Sequence, residues 1–161
     1  IEVHDAAGKP CAPGVVGELK VLRRGQWIAT KDLGRTDEDG YFYHAGRADD
    51  VIISAGWTMS AVEIEDAILK HPDVQEAAAI GIPDALRGQI VKAYVVLRPG
   101  HTGDAAMTKT LQDHVKATVA PYKYPRAIEY ITDLPKTQTG KLQRFELRKK
   151  AAESASRKMA S

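Results

Sequence analysis

The sequence predicts an α+β fold: a small mixed or antiparallel sheet with helices packed on it, preceded by a few β-strands. Three observations predict it. Over residues 1–46, short β-like runs are separated by turn signals. From residue 47 on, strand-like and helix-like apolar patterns follow one another closely enough to form one compact unit. Ser60 with Glu63 makes a capping box, which opens a helix that Pro72 blocks.

The elements follow in order. Val15–Leu22, Gln26–Thr30 and Tyr41–His44 are the expected early strands, set off by Arg24-Gly25, Asp39-Gly40 and similar turns. This stretch is too small to bury a core unaided. Val51-Ile52-Ile53 is a short buried strand, and the capped helix runs to about His71 with Ala61, Ile64, Ile68 and Leu69 on its apolar face. Ala77–Ile82 and Val91–Leu97 are strands, the second ended by Pro99-Gly100. Met107, Leu111, Val115 and Val119 recur every four residues, which marks a helix from about Asp104 to Val119 that Pro121 stops. Ile128–Ile131 alternates as a strand, Gln143–Ala152 reads as a short charged helix, and residues 153–161 are expected to be a disordered tail. His71 reads as a helix-end residue and His114 as a helix-surface position.

Composition narrows the function. The 161 residues are 43% apolar and 27% charged, which suits a globular domain, and the net charge of +2 gives no broad field for nucleic acid. No apolar run approaches membrane-spanning length, so no membrane partner is expected. Cys11 stands alone, which agrees with a reducing, cytoplasmic compartment. Five histidines show no metal-ligand spacing, so no metal site is assigned. The chain opens on Ile1-Glu2-Val3 without an initiator methionine and is expected to be a fragment.

The chemistry centres on Pro135-Lys136-Thr137-Gln138-Thr139-Gly140-Lys141. Gly140 permits a tight turn, so Lys141 is carried as a point charge on a movable loop suited to a phosphate or carboxylate. It is not a Walker A loop, because Pro135 replaces the first glycine and Leu142 follows the lysine. With Arg144 added, this stretch resembles the C-terminal signature of the adenylate-forming enzymes: acyl-CoA synthetases, non-ribosomal adenylation domains and luciferases. Gly46-Arg47-Ala48-Asp49-Asp50-Val51-Ile52, then Gly56 and Glu63-Ile64-Glu65, resemble a second block of that family. Asp37-Glu38-Asp39-Gly40-Tyr41-Phe42 resembles a third. Ala120–Arg126 is most similar to medium-chain and benzoate-type acyl-CoA ligases.

The resemblance implies roles residue by residue. Lys141 would be catalytic, stabilising charge as a carboxylate attacks the α-phosphate of ATP. Asp49 would be the hinge between a large N-terminal domain and a mobile C-terminal one. Arg47 would contact nucleotide, with an ion pair to Asp49 or Asp50 as the rival reading. Asp32 would grip the ribose hydroxyls, although Lys31 stands where the family carries glycine. Gly56, Trp57 and Arg87 would meet coenzyme A, against the plainer readings of a turn glycine and an exposed loop arginine. Thr58 replaces an arginine of many relatives, so that contact does not transfer.

The implied domains are residues 1–48, ending the N-terminal domain, and 49–152, the mobile C-terminal domain. The implied activity is an AMP-forming acid–CoA ligase for medium-chain, aryl or alicyclic acids. ATP/AMP, CoA and Mg2+ would be its cofactors and co-substrates, the metal held mainly by the N-terminal domain. The fragment alone is expected to be inactive without its own N-terminal domain. Acetylation of Lys141 by a lysine acetyltransferase, reversed by a deacetylase, would remove the charge that adenylation needs. The alternatives are an adenylation domain serving a carrier protein, a luciferase-like oxygenase, or a free-standing interaction module.

Overall fold

The computed structural model describes residues 1–160. Contacts divide the chain into two compact units, Ile1–Val51 and Ile52–Ser161.

The first unit is one antiparallel sheet of four strands in sequence order: β1 (Glu2–His4), β2 (Gly17–Arg23), β3 (Gln26–Thr36) and β4 (Phe42–Arg47). Turn chemistry sets its register. Arg24 and Gly25 both take positive φ, 51° and 78°, between the paired Arg23 and Gln26. That is the two-residue hairpin whose twist suits antiparallel strands. At the β3–β4 connection the Asp37 carboxylate accepts from the Asp39 and Tyr41 amides at 3.0 and 2.9 Å and from the Tyr43 hydroxyl at 2.8 Å. The third sequence block, around Asp37–Gly40, is thus a self-bonded turn. Those donors, the Tyr43 hydroxyl foremost, hold the Asp37 carboxyl below the usual carboxylate range. Val3 and His4 are buried, whereas Val16, Leu22, Trp27, Ile28, Phe42 and Tyr43 are exposed. So little buried area agrees with the expectation that this stretch makes no core of its own.

In the second unit, β5 (Val51–Ser54) and β6 (Trp57–Ser60) form a hairpin that leads into α1 (Ala61–Leu69). The N-cap half of the capping box is present: the Ser60 hydroxyl accepts from the Glu63 amide at 3.4 Å, while the Glu63 carboxylate accepts from Lys123. A three-stranded mixed sheet follows. β7 (Val74–Asp84) lies antiparallel to β8 (Gly88–Leu97), and β9 (Ala127–Tyr130) runs parallel to β8 on its far side. Between them α2 (Ala105–Thr118) begins at Asp104, whose carboxylate accepts from the Met107 amide at 2.8 Å.

Both faces of this sheet are covered. Ala77, Ala79, Val91, Ala93 and Val95 pack with Ile64 and Ile68 of α1 and Leu111 and Val115 of α2. The alternate residues Ala78, Ile80, Tyr94 and Val96 pack with Leu134 and with Leu147 of α3 (Arg144–Ala160). Period-two alternation therefore serves two cores at once, and the alanines of β7 let the helices lie close. Each fully buried Ile, Leu or Val here contributes about 1.5–3 kcal/mol.

Four expectations are corrected. β1 and β6 are strands that the sequence reading passed over. The helix expected to stop at Ala152 runs to Ala160, so residues 153–160 are helical and not a disordered tail. No glycine or proline interrupts 144–160, and the Ser154 and Ser156 hydroxyls donate to the carbonyls of Lys150 and Ala152 at 2.9 and 3.1 Å. Ser161 lies outside the described residues. His114 is half-buried and not a surface position: its Nε2 donates to the Ala67 carbonyl at 3.0 Å, and its ring meets His71 edge-on at 5.2 Å.

Candidate functional site

Lys141 sits on a loop that Thr137 organises. An antiparallel bridge between Lys136 and Leu142 closes it. Within it the Thr137 amide donates to the Lys141 carbonyl at 2.8 Å, the Lys141 amide to the Thr137 hydroxyl at 3.1 Å, and the Gly140 amide to the Thr137 carbonyl at 2.9 Å. Gly140 turns the chain at φ 84°, where a side chain would be strained. Both backbone groups of Lys141 are therefore fixed, while its side chain is exposed and, among the described residues, has no ion-pair partner. Lys136 is different: it is paired with Glu76 of β7, whose carboxylate holds the ammonium pKa above the ordinary lysine value. Of the loop's two lysines, Lys141 is the one left, among the described residues, for an anionic ligand.

The outgoing end of the loop is fastened as well. The Gln143 amide donates to the Pro135 carbonyl at 2.9 Å. Arg144, opening α3, makes a two-pronged ion pair with Glu65 of α1, Nε to Oε1 at 2.8 Å and Nη2 to Oε2 at 2.6 Å. Glu65 is only 6% exposed, and its Oε1 also accepts the Ala79 amide at 2.8 Å. Sequence reading quoted Glu65 and Arg144 as motif residues and assigned them no role. Thr137 was passed over too, although a Thr-x-Thr-Gly stretch is a recognisable hydroxyl-bonded turn.

Gly56, Trp57 and Arg87 come together. Ala55 and Gly56, at φ 50° and 80°, form the two-residue turn between β5 and β6. The Ala55 amide donates to the Arg87 carbonyl at 2.8 Å, which docks this tip on the Asp84–Gly88 turn. That turn is held by Asp84, accepting from the Leu86 and Arg87 amides at 3.0 and 2.9 Å. A Cβ on Gly56 would meet nothing within 4 Å, so the glycine both satisfies the turn and leaves an open surface. Trp57 stacks on Tyr122 with ring centroids 4.5 Å apart and planes 28° from parallel, and both rings remain partly exposed.

The Lys141 loop and this aromatic tip belong to opposite ends of β7. Glu76, which anchors Lys136, lies near its start, and Asp84 ends it. Eight residues of strand separate them, roughly 26 Å at 3.3 Å each.

In the first unit, Asp32 and Arg47 are paired across β3 and β4, with Nη1 3.3 Å from Oδ1. His44 Nε2 lies 3.7 Å from the same oxygen. Among the described residues no bond reaches Oδ2, which is left for a further donor. The Asp32 amide donates to the Thr30 hydroxyl at 3.1 Å, and Thr30 donates to the Leu19 carbonyl at 2.8 Å beside the β2 bulge. Between them Lys31 takes φ 63°, a conformation that suits glycine better than lysine. Asp49 lies in the short 3-10 turn Ala48–Asp50, just before the division after Val51.

Residues 63–141 match the family described as AMP-binding enzyme C-terminal domain, the segment that holds Glu65, the aromatic tip's partner Tyr122 and Lys141. Residues 63–141 carry an AMP-binding enzyme C-terminal domain. Its relatives include the uncharacterized acyl-CoA ligase YtcI of Bacillus subtilis, 42% identical over 99% of this chain and 34% of that protein. Human mitochondrial acyl-coenzyme A synthetase ACSM1 is 49% identical over 87% of this chain and 25% of its own length. Among solved structures, the anthranilate CoA ligase AuaEII in complex with anthranoyl-AMP superposes with a TM-score of 0.78 at 38% identity, covering 96% of this chain and 34% of that one. ATP-bound MatB from Rhodopseudomonas palustris gives 0.77 at 31% identity, over 92% and 33%. The chain thus spans about a quarter to a third of these relatives.

Against the adenylate-forming pattern, the structure gathers Gly56, Trp57 and Arg87 on one tip and pairs Asp32 with Arg47. It holds Lys141 on its own hydrogen-bonded loop. Shallow clefts of about 380 and 400 Å³ lie beside Leu134 and Pro135, at the start of this loop, and beside Tyr130.

Proposed function

We propose that this chain is the C-terminal part of an AMP-forming acyl-CoA ligase acting on medium-chain, aryl or alicyclic acids. The observation that carries the reading is the pairing of an uncompensated Lys141, on a loop with a fixed backbone, with a separate open tip at the other end of β7. One domain thereby presents two chemically different surfaces. In the first half-reaction a carboxylate oxygen attacks the α-phosphorus of ATP and pyrophosphate leaves. Lys141 supplies positive charge where negative charge develops. In the second, the CoA sulfur attacks the acyl carbon and AMP leaves, with Gly56, Trp57 and Arg87 beside the incoming thiol's carrier. Rotation about Asp49 would exchange the two surfaces.

Asp32 and Arg47 suit the nucleotide. The free Oδ2 can accept from a ribose hydroxyl, and the Arg47 fork orients the carboxylate. Magnesium would be held mainly by the N-terminal domain. Lys141, exposed and unpaired, is also open to acetylation, which would remove its charge.

The test is a panel of carboxylic acids offered to the intact protein with ATP and CoA, products read by mass spectrometry. Acyl-CoA, AMP and pyrophosphate are expected. Transfer only to a pantetheinylated carrier protein would replace the ligase reading with the carrier-loading one, and no acyl product from any acid would refute both.

A further inference from the structure

The second unit has one feature that its assigned residues do not use. β7 is an edge strand, with β8 on one side only. Its outward amide at Ala79 is taken by Glu65, which reaches down from α1 on one face of the sheet. The same carboxylate is gripped by Arg144, which opens α3 on the other face. The ion pair therefore closes round the open edge of the sheet and ties the two helical layers together. Both side chains are nearly buried, at 15% exposed for Arg144 and 8% for Glu65, so the pair is little screened by water.

Arg144 stands three residues after Lys141, and the intervening Gln143 is bonded to Pro135 at the start of the loop. The other foot, Lys136, is tied to Glu76 of the same strand. Both ends of the Lys141 loop are thus fastened to the β7 edge. The exposed Lys136–Glu76 pair is the weaker anchor and the buried, bidentate Arg144–Glu65 pair the stronger.

We infer that Glu65 and Arg144 are positioning residues for Lys141: their ion pair round the edge of β7 makes the Lys141 loop one rigid body with the sheet. Sequence reading expected a movable loop. On this account the loop does not move within its domain, and any displacement of Lys141 is a displacement of the whole unit. The catalytic consequence rests on the ligase reading; the mechanical claim does not.

The experiment has two arms, each with Arg144→Met and with Glu65→Gln, which keeps an acceptor for Ala79. Amide hydrogen exchange in the protein is expected to rise on the order of ten-fold at Thr137, Gly140 and Lys141 relative to the Val95 and Leu111 amides, whose own rise reports only the loss of global stability. A uniform rise at loop and core would mean that the pair only stabilises the fold, and no rise at the loop would mean that it anchors nothing; either overturns the inference. In the kinetic arm, acyl-adenylate formation is expected to fall about 100-fold in kcat with the KM for ATP little changed, because a misplaced cation loses charge stabilisation without losing ATP binding. Thioester formation from supplied acyl-adenylate and CoA should stay at the wild-type rate. Equal losses in both half-reactions would contradict a positioning role. If the unsubstituted protein makes no acyl-adenylate, the ligase reading fails, and the exchange arm still decides whether the pair fixes the loop.

Discussion

Replacing Glu65 by alanine should be among the most destabilising single changes in the second unit. Two groups depend on its carboxylate: the Ala79 amide at 2.8 Å and the Arg144 guanidinium at 2.6 and 2.8 Å. An unsatisfied buried amide costs about 1–3 kcal/mol. Stripping one partner from a buried ion pair costs about 3–5 kcal/mol. The two costs overlap because one carboxylate serves both groups, and the long Arg144 side chain can turn partly toward water. About 3 kcal/mol is therefore expected for Glu65→Ala. Glu65→Gln should cost about 2 kcal/mol, because the amide oxygen still accepts from Ala79 while the charge is lost. Urea denaturation reports the change, followed by Trp57 fluorescence in a Trp27→Phe background so that the second unit alone is read. The Glu65→Ala/Arg144→Met double variant should cost less than the sum of its parts, since the stranded cation is gone. A loss below about 1 kcal/mol for Glu65→Ala, or equal losses for alanine and glutamine, would refute the reasoning.

Other predictions follow from single positions. Gly56→Ala should cost about 1 kcal/mol through φ 80° alone, since the added Cβ meets nothing within 4 Å, whereas Gly56→Asn should be better tolerated. If the Gly56 surface receives the CoA arm, both variants raise the KM for CoA by similar factors, and thermal melts against kinetics separate the two effects. Lys31→Gly should be neutral or stabilising by up to about 1 kcal/mol in a thermal melt, because φ 63° is relieved while the unfolded chain gains freedom. A clear loss would show that the lysine side chain contributes something the strain conceals. The Glu129 carboxyl is pushed up by burial, but its bonds from Lys92 and Lys150 outweigh this and hold it below the usual range. Burial likewise presses Lys92 down, and Glu129 and Tyr94 more than offset it, so its pKa is raised. A lowered carboxylate stabilises above its unfolded value and is lost as pH falls through its folded one; a raised lysine stabilises below its unfolded value and is lost in strong base. Stability should therefore decline below about pH 4, and Glu129→Gln should flatten that acid limb in pH-dependent urea titrations.

Much of the fold was legible because its patterns are local. The Ser60 cap, the four-residue recurrence from Met107 to Val119 and the Pro121 stop each rest on neighbours in sequence, and each is found in the structure. The hairpin strand β6 was missed because Trp57-Thr58-Met59-Ser60 is short and its turn begins with alanine, a residue seldom found at positive φ. The length of α3 was missed because its last residues are polar, and polarity was read as disorder, whereas alanine, lysine and arginine favour helix. Within the site, Lys141, Gly56 and Asp32 could be named from motif resemblance. The Glu65–Arg144 pair could not, since it joins residues 79 positions apart across a strand edge. No periodicity reports such a contact.

The most direct test of the account is Lys141→Ala assayed separately in the two half-reactions. Its side chain is exposed and, among the described residues, makes no ion pair, so stability should change little. ATP-dependent pyrophosphate release should fall by at least about 100-fold, by analogy with the loss of one transition-state charge contact. Acyl-CoA formation from supplied acyl-adenylate should continue near the wild-type rate. Retained pyrophosphate release, or equal loss of both steps, would contradict the division of labour between the Lys141 loop and the Gly56 tip.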